Sequence, residues 1–281
     1  MSSGGPQINT AEYWNEAAAG WIRHRELLRD YLAPVSQWLV DAVDPQPGWR
    51  VLELAAGLGD TGLMLAPRLE PDGVLVSSDR STAMLEAARA RAAELDVENV
   101  EFADLDVEWI DLPVASVDAV ICRFGYMLAS EPAGALRETR RVIRPGGRFA
   151  LAVWDAAERN PWSYVPSTVL REHGLAPPQG AGAPGPFALG DASRLRQLLE
   201  DAGFQEVRID AIDLEEAHRD FDSFWERRLD LSRGFHDVVL SQDEALIGQI
   251  REDLADRLAP YTDANGGLKI PGRVLAAAAS A

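Results

Sequence analysis

The chain has 281 residues, of which 47% are hydrophobic and 26% charged, a composition that supports one domain with a sizeable core. Its formal net charge of −18, from 45 acidic against 27 basic residues, makes nucleic acids and anionic membranes poor partners. A single cysteine, Cys122, excludes an internal disulfide and a cysteine-based zinc site, and no metal is expected.

Residues 1–18 lack the basic flank and apolar core of a signal peptide, and no run approaches about 20 apolar residues. A cytoplasmic chain without membrane insertion is therefore expected. Residues 11–43 read as helical, with Trp21, Leu28, Leu32, Val35, Leu39 and Val43 recurring at spacings near three and four. Pro45-Gln46-Pro47-Gly48 breaks that pattern and introduces a first strand over residues 49–54. Residues 62–69 predict a helix ending before Pro71-Asp72-Gly73, and residues 74–78 a second, buried strand. Ser81 is the expected N-cap of a helix over residues 82–95, with Leu85, Ala88, Ala92 and Leu95 on one face.

Residues 100–102 and 117–122 predict a third and a fourth strand, the latter holding Cys122 as a small buried residue rather than a nucleophile. A helix over residues 133–143 is expected to stop at Pro145-Gly146-Gly147, before a fifth strand at 148–154. The cluster Arg137-Glu138-Thr139-Arg140-Arg141 reads as a solvated helix end, not a basic patch. Residues 155–190 are expected to form a lid with a loop at 177–186, where Pro and Gly dominate. Asp191 then caps a helix ended by Gly203, and residues 207–214 predict a sixth strand. Residues 241–259 predict an amphipathic helix whose Leu246, Ile250, Leu254 and Leu258 stripe packs on a core, and residues 267–278 a closing strand. Strands alternating with helices imply parallel pairing, because each crossover must return the chain to the same edge.

The candidate site begins where the first strand ends, at Glu53-Leu54-Ala55-Ala56-Gly57-Leu58-Gly59. Small residues there let the backbone turn tightly and approach a ligand, while the next helix points its N-terminus at the site. Such a loop is also found in structural turns and in dinucleotide enzymes. Asp79 follows the second strand, where a doubly wound fold places a carboxylate for ribose hydroxyls; an N-cap role for the next helix is compatible with that. Asp106 follows the third strand and, with the Val107 backbone, could take an adenine ring; Asp104 competes for this role, and register favours Asp106.

The segments at residues 51–62, 74–89, 106–128 and 137–155 resemble the successive motifs of class I methyltransferases dependent on S-adenosylmethionine (SAM). The branch that includes the ubiquinone/menaquinone-biosynthesis C-methyltransferases is the most similar. The resemblance implies an α/β, doubly wound, mostly parallel seven-stranded sheet with N-terminal helices and a helical lid insertion. It divides the chain into a helical cap (1–45), a SAM-binding core (46–155), a lid (156–190) and a C-terminal part with a helical insertion (191–281). It implies that Glu53 orders the loop and helps hold the methionyl amino group. Asp79 beside Arg80 would bind ribose, Asp106 with Val107 adenine, and Arg123 would lie beside the cofactor. One departure concerns Ala55, where the family has glycine; alanine fits if its φ stays negative.

Methyl transfer is an in-line displacement in which the protein chiefly aligns the acceptor and excludes water. Tyr13, Trp21, Tyr126 and Trp154 are candidate pocket walls, with ordinary packing as the alternative. Of four histidines, none lies in a motif; His24, after the aromatic segment that folds over the cofactor in similar enzymes, is the first candidate for a base. Amino methylases of bases carry an Asn/Asp-Pro-Pro-aromatic element after the fourth strand, where this chain has Arg123-Phe124-Gly125-Tyr126. Arsenic methylation would need several thiols. The expected activity is methyl transfer to an O or C atom of a small apolar or aromatic molecule, and a homodimer is compatible with it. The alternatives are a SAM-binding regulatory or interaction protein and an NAD(P)-dependent oxidoreductase, though Asp60 stands where a pyrophosphate would be repelled.

Overall fold

The computed structural model describes residues 7–176 and 183–281; residues 177–182 of the expected loop lie outside the described residues, as do 1–6. Short apolar runs between turns become strands buried on both faces. β1 (Arg50–Leu54), β2 (Val74–Ser78) and β4 (Val117–Arg123) are buried almost throughout, as parallel strands covered by helices must be. With β3 (Val100–Ala103), β5 (Ile143–Trp154), β6 (Gln205–His218) and β7 (Leu268–Ser280) they form one sheet in the order β3-β2-β1-β4-β5-β7-β6. Pairing is parallel from β3 through β5, and β7 runs antiparallel to both β5 and β6. All strands but β7 therefore end at one edge, where doubly wound folds bind their ligands. The outer strand β6 exposes Arg208, Asp213 and Glu215, charges that discourage pairing with another sheet.

The expected helical stretch at 11–43 is two helices, α1 (Ala11–Arg23) and α2 (Arg25–Val43), separated at His24. α3 (Asp60–Leu65) leaves the glycine loop, and α4 (Thr82–Glu94) is capped by the Ser81 hydroxyl as predicted. Leu85, Ala88 and Ala92 are buried, but Leu95 closes the helix at 47% exposure, because the chain leaves the helical path there. α5 (Pro132–Val142) passes directly into β5. Pro145-Gly146-Gly147 thus lies inside the strand rather than ending the helix, and the Gly146 N–H donates to the Ala281 carbonyl at 2.7 Å. α7 (Ala192–Asp201) is capped by Asp191 and followed by Gly203 at φ 91°, as read from the sequence.

Three helices were not legible: α6 (Pro161–Glu172), α8 (Phe221–Leu231) and α9 (Arg233–Leu240). In α6, Pro161 occupies the first turn, where its missing N–H has no helical partner to lose. With α10 (Glu244–Leu258) these helices enclose a second small core that includes Val169, Trp225, Phe235, Val239, Ile250 and Leu254. The lid is therefore not confined to residues 156–190: α6 joins the insertion between β6 and β7 in one helical layer. α1 packs against both α4 and α8, so the N-terminal cap spans the sheet edge and the lid. No helix among the described residues is long and apolar enough to cross a membrane.

Candidate active site

β1 delivers Glu53 between Ser77 of β2 and Ile121 of β4, only 3% exposed. Its carboxylate accepts the Gly62 N–H at 2.7 Å and the Ser77 hydroxyl at 2.9 Å. Burial pushes its pKa up to about 8, against those two bonds and the nearby Arg123. Position 62 must be glycine, since a Cβ there would lie 2.2 Å from Glu53 Oε2.

Past Glu53 the backbone turns sharply. Ala55 has φ 51°, contrary to the expectation of a negative angle. The turn lets the Ala56 N–H reach the Ser78 carbonyl at 2.9 Å, and it sets Ala55 Cβ against Gly125, where a second Cβ would come within 2.8 Å. Gly57 (φ 56°) and Gly59 (φ 82°) continue the left-handed run. Asp79, 8% exposed, fixes the loop: Oδ2 accepts the Gly57 N–H and Oδ1 the Ser81 N–H, both at 2.8 Å. Burial raises its pKa, and the Ser81 and Gly57 bonds oppose the rise. Asp79 thus supports the start of α4 through the Ser81 N–H, while Ser81 itself is the N-cap.

Arg80 pairs with Asp106 Oδ2 and donates to the Asn9 carbonyl, drawing the chain before α1 onto the strand ends. Asp106 Oδ1 accepts the Glu108 N–H at 2.9 Å. Asp106 and Val107 line the same cavity as Glu53, the loop from Ala55 to Leu58, Asp79 and Arg80, whereas Asp104 is exposed outside it. At the end of β4, Arg123 donates to Ser36 Oγ at 2.9 Å, which in turn lies 3.0 Å from Thr61 Oγ1. Burial lowers the Arg123 pKa, with Asp60 and Glu53 opposing.

The cavity continues beneath α1, α6 and α8. Tyr13, Trp21 and Trp154 line it, and Trp154 lies flat on Phe124 (4.5 Å between centroids, 7°) beside Trp162 (4.8 Å). Tyr126 does not. It is fully buried, its hydroxyl bonded to Thr139, because the short turn after β4 directs it into the core and leaves Phe124 toward the cavity. His24 is also outside the cavity, at the α1–α2 junction, where Nε2 lies 2.8 Å from Asp230 Oδ2.

Of the polar groups at this end, His218 was weighed among the four histidines and passed over for His24, and Tyr31, Glu216, Arg227 and Arg228 went unseen in the sequence. Glu216 and His218 are two apart at the end of β6, and alternation along a strand puts both on one face, a signal that was available. His218 Nε2 lies 3.1 Å from Glu216 Oε1. Burial favours a neutral Glu216, but His218, Arg227 and Arg228 outweigh it, and its pKa is lowered. Among the described residues no group of three His, Cys, Asp or Glu side chains is arranged to hold a metal.

Residues 51–147 match the family described as "Methyltransferase domain". The arsenite methyltransferase of Halobacterium salinarum is 31% identical over 185 residues, covering 66% of this chain and 44% of that protein. The ubiquinone/menaquinone biosynthesis C-methyltransferase UbiE of Pseudomonas savastanoi is 31% identical over 141 residues, covering 50% of this chain and 55% of its own. The chain thus spans about half the length of the curated relatives it matches. The crystal structure of the YcgJ protein from Bacillus subtilis superposes with a TM-score of 0.59 at 20% identity, over 87% of this chain and 97% of that one, a likeness of fold. Over residues 51–147 the chain is thus similar to methyltransferase domains, the ubiquinone/menaquinone C-methyltransferases among them. SAM is the cofactor that domains of this kind use.

The cavity suits this cofactor. Four carboxylates (Glu53, Asp60, Asp79 and Asp106) line its loop end against the guanidiniums of Arg80 and Arg123, an acidic wall fit for a sulfonium and an ammonium but not a pyrophosphate. A Cβ placed on Gly57 meets nothing within 4 Å, so backbone there borders open space. The matched stretch 51–147 contains Glu53, Asp79, Asp106 and Arg123, while Tyr31, Trp154, Trp162, Glu216, His218 and Arg228 all fall outside it. What the domain match describes is the cofactor half of the cavity.

Proposed function

We propose that this protein transfers the methyl group of SAM to an oxygen or carbon atom of a small apolar or aromatic acceptor. One observation carries the reading: a single cavity joins the acidic strand-end loops to a wall of Tyr13, Trp21, Phe124, Trp154 and Trp162. At the loop end, Glu53 receives the methionyl ammonium, Asp79 with Arg80 the ribose edge, and Asp106 with the Val107 backbone the adenine. The backbone of Ala55, Gly57, Leu58 and Gly59 shapes the floor, and Arg123 flanks it. When bound, SAM supplies a methyl group on a sulfonium. The chain's own residues orient the acceptor between aromatic faces and exclude water. His218, rather than His24, is the imidazole facing the acceptor, and Glu216 beside Nε2 stabilises it when it takes the acceptor's proton.

The arsenite substrate of one relative does not transfer to this chain. Cys122 is its only cysteine, fully buried, with burial pushing the thiol up to about 12. The reading extends to a cytoplasmic enzyme, and the net charge of −18 supports the absence of nucleic-acid partners. Sedimentation would decide between monomer and homodimer.

Calorimetry with SAM, S-adenosylhomocysteine and NADH, followed by label transfer from methyl-labelled SAM to a panel of phenols and quinols, tests the proposal. Binding of the first two ligands and label in an acceptor are expected. Preferential NADH binding would overturn the cofactor assignment. Tight SAM binding with no transfer to any acceptor would favour a regulatory SAM-binding protein instead.

A further inference from the structure

Arg228 stands apart from the other charges of the cavity. Its guanidinium lies 5.3 Å from the centre of the Trp162 ring and 6.0 Å from that of Phe235. It has no hydrogen-bond or ion-pair partner among the described residues, and its Nε is fully buried without one. Its neighbour Arg227, by contrast, donates to Glu216 Oε1 and the Ala217 carbonyl, both at 3.3 Å. Burial lowers the Arg228 pKa, and Glu216 and Tyr13 only partly oppose it. A half-buried guanidinium whose Nε is cut off from water without a partner is costly, and folds keep one where something else completes it.

The local charges give the sign of the missing group. Glu216 is ionised and already shared by Arg227 and His218, so Arg227, Arg228 and Glu216 together leave one positive charge uncompensated, before any charge on His218. Two further buried polar groups here also lack hydrogen-bond partners: the Tyr31 hydroxyl and His218, whose Nε2 is near Glu216 but poorly aligned with it. The guanidinium stands over two aromatic rings and makes no hydrogen bond within the described residues, so its donors are left for a planar, two-oxygen acceptor, a geometry that matches a carboxylate.

We propose that Arg228 is a specificity-determining residue that receives a carboxylate on the methyl acceptor, so that the acceptor is an amphipathic acid with an apolar or aromatic body. The body lies against Trp154, Trp162 and Phe224, and the carboxylate on Arg228 orients it. The assignment rests on the cavity being the acceptor site of a methyltransferase.

The test uses protein saturated with S-adenosylhomocysteine, whose own binding is measured first by calorimetry. The probes are 3-phenylpropanoate and its neutral twin 3-phenylpropanamide, read by tryptophan fluorescence and thermal shift. The wild type is expected to bind the acid at least 10-fold tighter than the amide and to gain thermal stability from the acid alone. Arg228→Met is expected to lose that preference while keeping its S-adenosylhomocysteine affinity and unfolding at an equal or higher temperature. Arg228→Lys should keep part of the preference. A wild type without acid preference, including one that binds neither probe, overturns the proposal, as does an Arg228→Met variant that retains the preference. Failure to bind S-adenosylhomocysteine would instead sink the methyltransferase reading, so the two failures are distinguishable.

Discussion

The two ends of the cavity are built on opposite principles. At the cofactor end, the side chains that line it also hold the fold: Glu53 ties β1 to β2 and α3, and Asp79 ties the glycine loop to the start of α4. At the acceptor end, Tyr31, His218 and Arg228 hold polar atoms away from water without hydrogen-bond partners in the chain. A loop that receives a fixed cofactor can be complete on its own, its geometry set by backbone bonds. A pocket that selects an acceptor leaves its discriminating groups incomplete, so that a ligand lacking the right partner forfeits binding. Stability and recognition thus coincide at one end and oppose each other at the other.

Asp79→Ala probes the coincident end and carries the largest expected effect. It strips partners from two backbone N–H groups, Gly57 beside the open cavity and Ser81 in the interior, and the buried one costs about 1–3 kcal/mol when left unpaired. A loss of roughly 1–3 kcal/mol in denaturant unfolding is expected, with SAM affinity reduced at least about 100-fold. Truncation of Arg228 should do the reverse to stability. If Asp79→Ala unfolds like the wild type, the loop is held by something other than this carboxylate, and the contrast between the two ends collapses.

The same contrast explains what could be read from the sequence. The parallel strands and the place of Glu53, Asp79 and Asp106 at one edge were legible because each acid follows a buried apolar run of a parallel strand, and the carboxyl ends of such strands must meet. Tyr126 was misjudged because one position in a tight turn separates a core ring from a cavity ring; its neighbour Phe124 took the place expected of it. Glu216, His218 and Arg228 lie far along the chain from the glycine loop, on a strand and a helix of the insertion. Alternation along β6 could have paired Glu216 with His218, but nothing local joins them to Arg228 or to the glycine loop, because that meeting comes from tertiary proximity. α6 went unassigned within the expected lid: Pro161 begins the helix and Pro166 sits inside it, where proline masks a helical pattern.

Glu53 sharpens the contrast through pH. Its pKa in the folded chain, about 8, lies above the ordinary carboxylate value of 4.5, so the cofactor-free fold holds this proton more tightly than the unfolded chain. The sign follows: stability falls as pH rises from about 4.5 toward 8, by at most about 1.4 kcal/mol for each pH unit from this one group. Glu53→Gln removes that dependence. Urea midpoints measured between pH 5 and pH 8.5 should show the variant near the wild type at the acid end and more stable at the alkaline end. Parallel pH profiles for the two proteins would mean that Glu53 is ionised in the cofactor-free fold, supported by Arg123 and its two hydrogen bonds.

The smallest expected effect concerns Ala55 and Gly57, which share nearly the same backbone angle, φ 51° and 56°. A left-handed angle costs a residue with a side chain about 1–2 kcal/mol, and glycine nothing, though glycine gives up about 0.4–1 kcal/mol through its freer unfolded chain. Ala55→Gly should therefore stabilise by no more than about 1 kcal/mol, because relief of strain is offset by that entropy and by lost packing against Gly125. Gly57→Ala should destabilise by about 1 kcal/mol, since its Cβ gains no contact within 4 Å. The new methyl group would also border the space assigned to SAM, so Gly57→Ala should weaken SAM binding and Ala55→Gly should leave it nearly unchanged. Equal losses of affinity in both variants would place the cofactor against Ala55 as closely as against Gly57, and the family's preference for glycine at position 55 would then reflect ligand contact rather than backbone angle.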